Sequence, residues 1–192
     1  MTTSGRIELM APAGNFESMQ AALDNGCDSI YFGVEQLNMR ARATVNFVLD
    51  DLPEIARRCK EKNVRTYLTL NTIIYDHDLS IVKTLLTKAK EAGITAVIAS
   101  DQAVIMTART IGMEVHISTQ LNVTNIETVK FYAMFADTIV LSRELSLRQV
   151  KKITEDIEKE QIKGLSGNLV EIEIFGHGAL CMAVSGKCYL SL

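Results

Sequence analysis

Near the end of the sequence, Cys181 and Cys188 flank six residues that include Ser185-Gly186, where the chain can reverse. A thiolate pair on a glycine-containing loop suits metal or iron–sulfur ligation. Six intervening residues is not the spacing of a zinc knuckle, and two thiolates alone do not complete a four-ligand site. His177 lies four residues before Cys181, which permits a Cys–His pair on paper, with no third orienting group in view. Cys27 and Cys59 have no ligand-type neighbours and read as core thiols. A second set is rich in amides and guanidinium groups: Asn38, Arg40, Arg42, Asn46, Asn71, Gln120 and Arg143. Arg40 and Arg42, with Arg143 as a third cation, suit an anion such as a carboxylate or phosphate. The bland alternative is that these groups cap helices and satisfy backbone, with Arg143 paired to Glu144 or a neighbouring loop.

These side chains need a scaffold, and the pattern supplies one. Short β-rich apolar runs at 7–10, 29–33, 65–70, 96–100, 114–118, 138–141 and 170–175 alternate with helical spacing at 16–24, 51–62, 79–92, 102–111, 125–135 and 146–160. Several strands are nearly continuous in Ile, Val and Leu, as expected when both faces are covered. Three helix-to-strand junctions look alike, at 25–31, 92–98 and 135–141, without a fixed period. Strict alternation implies right-handed crossovers and a parallel sheet, either open or closed into a barrel. No Gly-x-Gly-x-x-Gly turn follows the first strand, and Pro12 sits in the tight loop 10–15 where a phosphate cradle needs free N–H groups. The fold expected is an α/β, TIM-like (β/α) barrel of one domain over 1–192, truncated at about seven strands where a complete barrel has eight. The natural protein is expected to continue past Leu192.

In such a barrel the loops after each strand form the functional face. That places Arg40 and Arg42 after strand two, Asn71 after strand three, Gln120 after strand five, Arg143 after strand six and His177 after strand seven. His116, Ser118 and Gln120 alternate in phase, and a lone strand histidine is more often a satisfied core group than a catalyst. His77, within Asp76-His77-Asp78, reads as a solvated cap. The candidate catalytic residues are therefore His177, Gln120 and Arg143. Arg40, Arg42 and Asn71 are the candidate substrate contacts, and Cys181 and Cys188 the candidate metal ligands.

The bulk numbers narrow the classes. Among 192 residues, 47% are hydrophobic, 22% are charged and Pro occurs twice, which argues against disorder. A formal charge of −3 is unlike a duplex-coating protein, so any nucleic-acid contact must come from a local patch. There is no apolar run long enough for a membrane span and no apolar signal core at the N-terminus, so a cytoplasmic protein without a membrane partner is expected.

The stretch 171–188, Glu-Ile-Glu-Ile-Phe-Gly-His-Gly-Ala-Leu-Cys-Met-Ala-Val-Ser-Gly-Lys-Cys, resembles the signature of the collagenase-like peptidase family, family U32. The likeness extends to Glu-Leu-Met-Ala-Pro-Ala-Gly-Asn at 8–15, Ser118-Thr119-Gln120 and 142–146. Gly176 departs from it, since family members usually carry a larger side chain before the His-Gly. The resemblance implies a TIM-like barrel. It also implies oxygen-independent hydroxylation of the wobble uridine of tRNA to 5-hydroxyuridine, with prephenate as hydroxyl source and dicarboxylate co-substrate. Other branches act on ribosomal RNA or the ubiquinone ring. By the same resemblance, a 4Fe-4S cluster is held by four cysteines, with Cys181 and Cys188 as the first two ligands. The other two are expected further downstream, so the cluster is not expected on this piece alone. The rival readings are a collagenase-like peptidase, and a non-catalytic partner subunit in a homo- or hetero-dimer. Neither a His-Glu-x-x-His run nor a convincing triad supports proteolysis.

Overall fold

The strands and helices of the computed structural model alternate along the chain, and the structure describes residues 7–34, 47–178 and 183–184. The strands are β1 (Met10–Pro12), β2 (Ser29–Gly33), β3 (Arg65–Leu70), β4 (Ala96–Ala99), β5 (Glu114–Ile117), β6 (Thr138–Val140) and β7 (Glu171–Glu173). They form one seven-stranded sheet in sequence order, and every neighbouring pair is parallel. The helices are α1 (Phe16–Asp24), α2 (Leu52–Glu61), α3 (Leu79–Ala92), α4 (Gln102–Thr110), α5 (Ile126–Ala133) and α6 (Leu147–Glu160).

Local chemistry explains the punctuation. Asn15 caps α1 by accepting from the Ser18 N–H at 2.8 Å, and Ser18 returns a bond to the Asn15 backbone. Asp101, Asn125 and Ser146 cap α4, α5 and α6 in the same sense. At the other end, five helices close with one bond pattern. The N–H groups of Cys27, Val64, Ile94, Met113 and Ile162 reach back five residues to the carbonyls of Ala22, Cys59, Ala89, Ala108 and Ile157. Each is preceded by a residue with positive φ (Gly26, Asn63, Gly93, Gly112 or Gln161) and is itself buried. This is the Schellman stop with its apolar clasp, and it delivers the chain directly into the next strand.

The first strand departs from expectation. It runs Met10–Pro12 rather than 7–10, and Ile7 and Leu9 are 90% and 62% exposed. Asp28 holds the Leu9 N–H through its carboxylate, and the Leu9 carbonyl accepts from the backbone of Asp28 and Ser29. Pro12 closes the strand instead of sitting in the loop, which an edge strand tolerates because no ladder donor is needed on its outer side.

The two faces of the sheet differ sharply. Ile30, Phe32, Leu68, Leu70, Val97, Ala99, Ile117 and Ile139 alternate onto the face covered by helices and join one large core. The opposite face carries a small cluster of Tyr67, Ala96 and Ile98, with Met10 and Tyr31 against it. Side chains from non-neighbouring strands meet over this second face: the rings of Tyr67 (β3) and His116 (β5) lie 4.5 Å apart, and His116 faces Glu173 of β7. Such contacts require the sheet to curl, making this the inner surface of a barrel wall. Among the described residues β1 and β7 are not paired, in keeping with an incomplete barrel.

Candidate active site

Parallel strands bring their C-terminal ends to one rim, and the polar groups expected there fall into two linked clusters. Gln120 lies in the short turn after β5 and is 7% exposed. Its Oε1 accepts from the Asn71 amide at 3.3 Å and from the Ser118 hydroxyl. With the carbonyl end occupied, Gln120 offers its NH2 to a third group. Beside it, Ser142 bonds Asn122 at 3.1 Å and also Glu144, while Thr119 donates to the Leu141 carbonyl. The loops after β5 and β6 are thus cross-linked. Asn122 adopts the left-handed conformation, φ 54°, that ends the turn and lets these loops meet.

Arg143 reaches the other way. Its Nη2 donates to the Ala183 carbonyl at 3.1 Å, and its guanidinium lies 5.9 Å from the Phe175 ring. Its Nε is buried without a hydrogen-bond partner among the described residues. Ala183 falls between Cys181 and Cys188 in sequence, and this bond ties the loop after β6 to the chain beyond β7. Pairing with a neighbouring loop was one of the two readings open for this arginine.

The structure brings Asn71 and Gln120 together and sets Arg143 against the chain beyond β7. His177 is exposed just past β7, and no described residue is bonded to it. Arg40, Arg42, Cys181 and Cys188 lie outside the described residues. Cys27 and Cys59 are buried free thiols, and burial pushes Cys59 up to about 11. They are core residues and supply neither a nucleophile nor a thiolate ligand. His77 is solvated, stacked on Tyr75 in the turn before α3.

Deeper in the barrel lies an ionisable group, read from the sequence as a core histidine, whose partners the sequence did not show. His116 is 3% exposed; its Nε2 is 3.3 Å from Glu114 Oε1 and its Nδ1 is 3.7 Å from Glu173 Oε2. Burial alone lowers the imidazole pKa, but the hydrogen bonds and charges of Glu114 and Glu173 outweigh it and the net shift is upward. Tyr67 lies against the ring at a tilt and donates its hydroxyl to Glu8 at 2.8 Å, while Glu8 also pairs with Arg65. Burial pushes the Tyr67 phenol up to about 12. Glu114 was legible from its two-residue spacing to His116; Glu173 becomes visible once β7 is known to curl toward β5.

Taken with the sequential parallel order, this defines a TIM-like barrel, a fold whose enzymes carry their sites at the strand C-termini. Residues 14–192 match the model of Peptidase family U32, and the chain belongs to that family. It is 55% identical over 186 residues to a protein named collagenase from Porphyromonas gingivalis W83, covering 97% of this chain and 45% of that one. Identity is 31% to tRNA hydroxylation protein P1 of Bacillus subtilis, covering 96% of this chain and 42% of the relative. It is 33% to the 23S rRNA 5-hydroxycytidine C2501 synthase of Escherichia coli K12, covering 98% and 27%. The chain therefore spans less than half the length of these relatives. A solved U32 peptidase structure superposes with a TM-score of 0.65 at 16% identity, covering 91% of this chain and 70% of that one, which speaks for the fold alone. Among the described residues no helix is long and apolar enough to cross a membrane.

Proposed function

We propose that this chain is the barrel portion of a cytoplasmic RNA hydroxylase that converts the wobble uridine of tRNA to 5-hydroxyuridine without oxygen, using prephenate and a 4Fe-4S cluster. The observation that carries the reading is the match, over nearly the whole chain, to relatives named for hydroxylating tRNA and rRNA. The rim chemistry supports it. Gln120 presents an amide donor held by Asn71 and Ser118, suited to a carboxylate or a base edge, and Arg143 carries fixed positive charge beside the segment that leads to the cysteines. Arg40 and Arg42 would add charge for a dicarboxylate or an RNA phosphate.

The cluster needs four thiolates, and this chain's donor set falls short of them. With Cys27 and Cys59 in the core, only Cys181 and Cys188 remain, half of the set. The residues present bind, orient and carry charge.

The test is nucleoside analysis of tRNA from cells carrying the full-length protein, a deletion, and Cys181→Ala. Loss of 5-hydroxyuridine in the deletion and in the Cys181 variant is expected, together with loss of cluster absorbance in anaerobically purified protein. Unchanged 5-hydroxyuridine in the deletion overturns the reading. One observation favours a second reading, a collagenase-like peptidase: the 55% identity to the Porphyromonas protein of that name. Gelatin cleavage by the purified full-length protein, abolished at a single residue, would establish it.

A further inference from the structure

We propose that His116, as an imidazolium held between Glu114 and Glu173, is a positioning residue that fixes β7 and thereby the segment leading to His177, Ala183 and the cysteines. This deepens the reading of that segment as the working site and rests on it. β7 is three residues long and pairs only with β6 among the described residues. Its backbone is held by the ladder to β6 and by the bond from Leu141 N–H to the Glu173 carbonyl at 2.9 Å. The His116–Glu173 contact adds a side-chain tie that jumps over β6 to β5, which is itself paired on both edges.

The histidine cannot serve as a free general base in this arrangement, because each ring nitrogen faces a carboxylate. Its Nδ1 and Glu173 Oε2 face one another at 3.7 Å, within ion-pair range, and both atoms are buried without a hydrogen-bond partner among the described residues. With the ring neutral, at most one nitrogen donates, and one of the two carboxylates then faces a lone pair. With the ring protonated, both nitrogens carry a proton and the positive ring is attracted to both carboxylates. The groups facing the ring are Glu114 on its own strand, Glu173 on β7 and Tyr67 on β3. Behind Tyr67 stand Arg65 and Glu8, which pair with each other.

The sign follows from the upward net shift. Such a histidine contributes stability fully below its ordinary range, and loses it as pH rises through the raised folded value. Amide hydrogen exchange at residues 171–173 of the full chain, expressed as protection relative to β3, reads this directly. Between about pH 6 and about pH 9, β7 protection is expected to fall by about tenfold while β3 holds. Glu173→Gln and His116→Gln should each flatten that dependence, and the double variant should add nothing to either single one. A His116 ring signal that titrates at or below the ordinary histidine range overturns the proposal, as does a Glu173→Gln chain that keeps the wild-type dependence. If His116→Gln fails to fold, the wild-type titration and Glu173→Gln still decide. None of these readouts needs turnover, so an RNA-inactive protein with a pH-dependent β7 would sink the hydroxylase reading and leave the clamp standing.

Discussion

The two faces of one sheet obey different rules here. On the helix-covered face, Ile30, Leu68, Leu70, Val97, Ile117 and Ile139 are fully buried in a single continuous core. On the inner face, one residue over along the strands, stand Tyr67, Glu114, His116 and Glu173, which meet through charge and hydrogen bonds. The outer face accounts for most of the burial that opposes chain entropy, and it asks only for volume and apolarity. The inner face and the rim above it keep polar groups whose burial costs desolvation wherever no partner meets them. Stability and site chemistry are thus separated by one step of β alternation.

A cavity on the outer face should give the largest loss. Ile139→Ala removes a fully buried side chain from the middle of β6 and is expected to cost about 2–5 kcal/mol. Urea unfolding measures it, and activity per folded molecule in the full-length protein should stay near wild type. Gln120→Leu should do the reverse. It keeps the volume but strips the shared acceptor from the Asn71 amide and the Ser118 hydroxyl, for a loss of about 1–3 kcal/mol. Hydroxylation per folded molecule should then fall well beyond what the unfolding curve explains. If Ile139→Ala hits activity harder than Gln120→Leu, the division of labour between the faces is wrong.

How much of this was legible in the sequence depends on whether the signal is local. Gly26, Gly93 and Gly112 announce their helix stops because they take positive φ at no steric cost, and the boundaries of α1, β2 and α3 follow as expected. Asn63 and Gln161 perform the same turn without glycine, and there the hydrophobic period alone locates the end. Around β1 the local signal misled. Ile7 and Leu9 have strand-like composition, but the Asp28 carboxylate and the backbone before β2 capture Leu9 outside the ladder. At the rim, residue type found Asn71, Gln120 and Arg143, because amides and guanidinium groups clustered at strand ends are visible in one dimension. Their partners were not: Ala183 contributes a backbone carbonyl, and its approach to Arg143 depends on where the chain turns after β7. The His116–Glu173 pair depends on curvature across three strands, which no local pattern encodes.

The smallest effect is expected where a cation sits between two carboxylates on the surface, the counterpart of His116 within the barrel. Arg57 on α2 lies 2.8 Å from Glu54 and 2.5 Å from Glu61, both closer than either contact of His116. Hydrogen bonds from Arg57 and Arg58 bring the Glu54 carboxyl down to about 2. Yet the Arg57 side chain is 54% exposed and that of His116 only 4%, so water and salt screen the first pair more than the second. Arg57→Gln should therefore leave the urea midpoint unchanged within error, at low and high salt alike. Glu173→Gln should lower the midpoint below about pH 7, where the imidazolium loses its partner. A midpoint that responds more to Arg57→Gln than to Glu173→Gln would mean that contact distance outweighs burial in this protein, and the contrast between its exterior and its barrel interior would lose its physical basis.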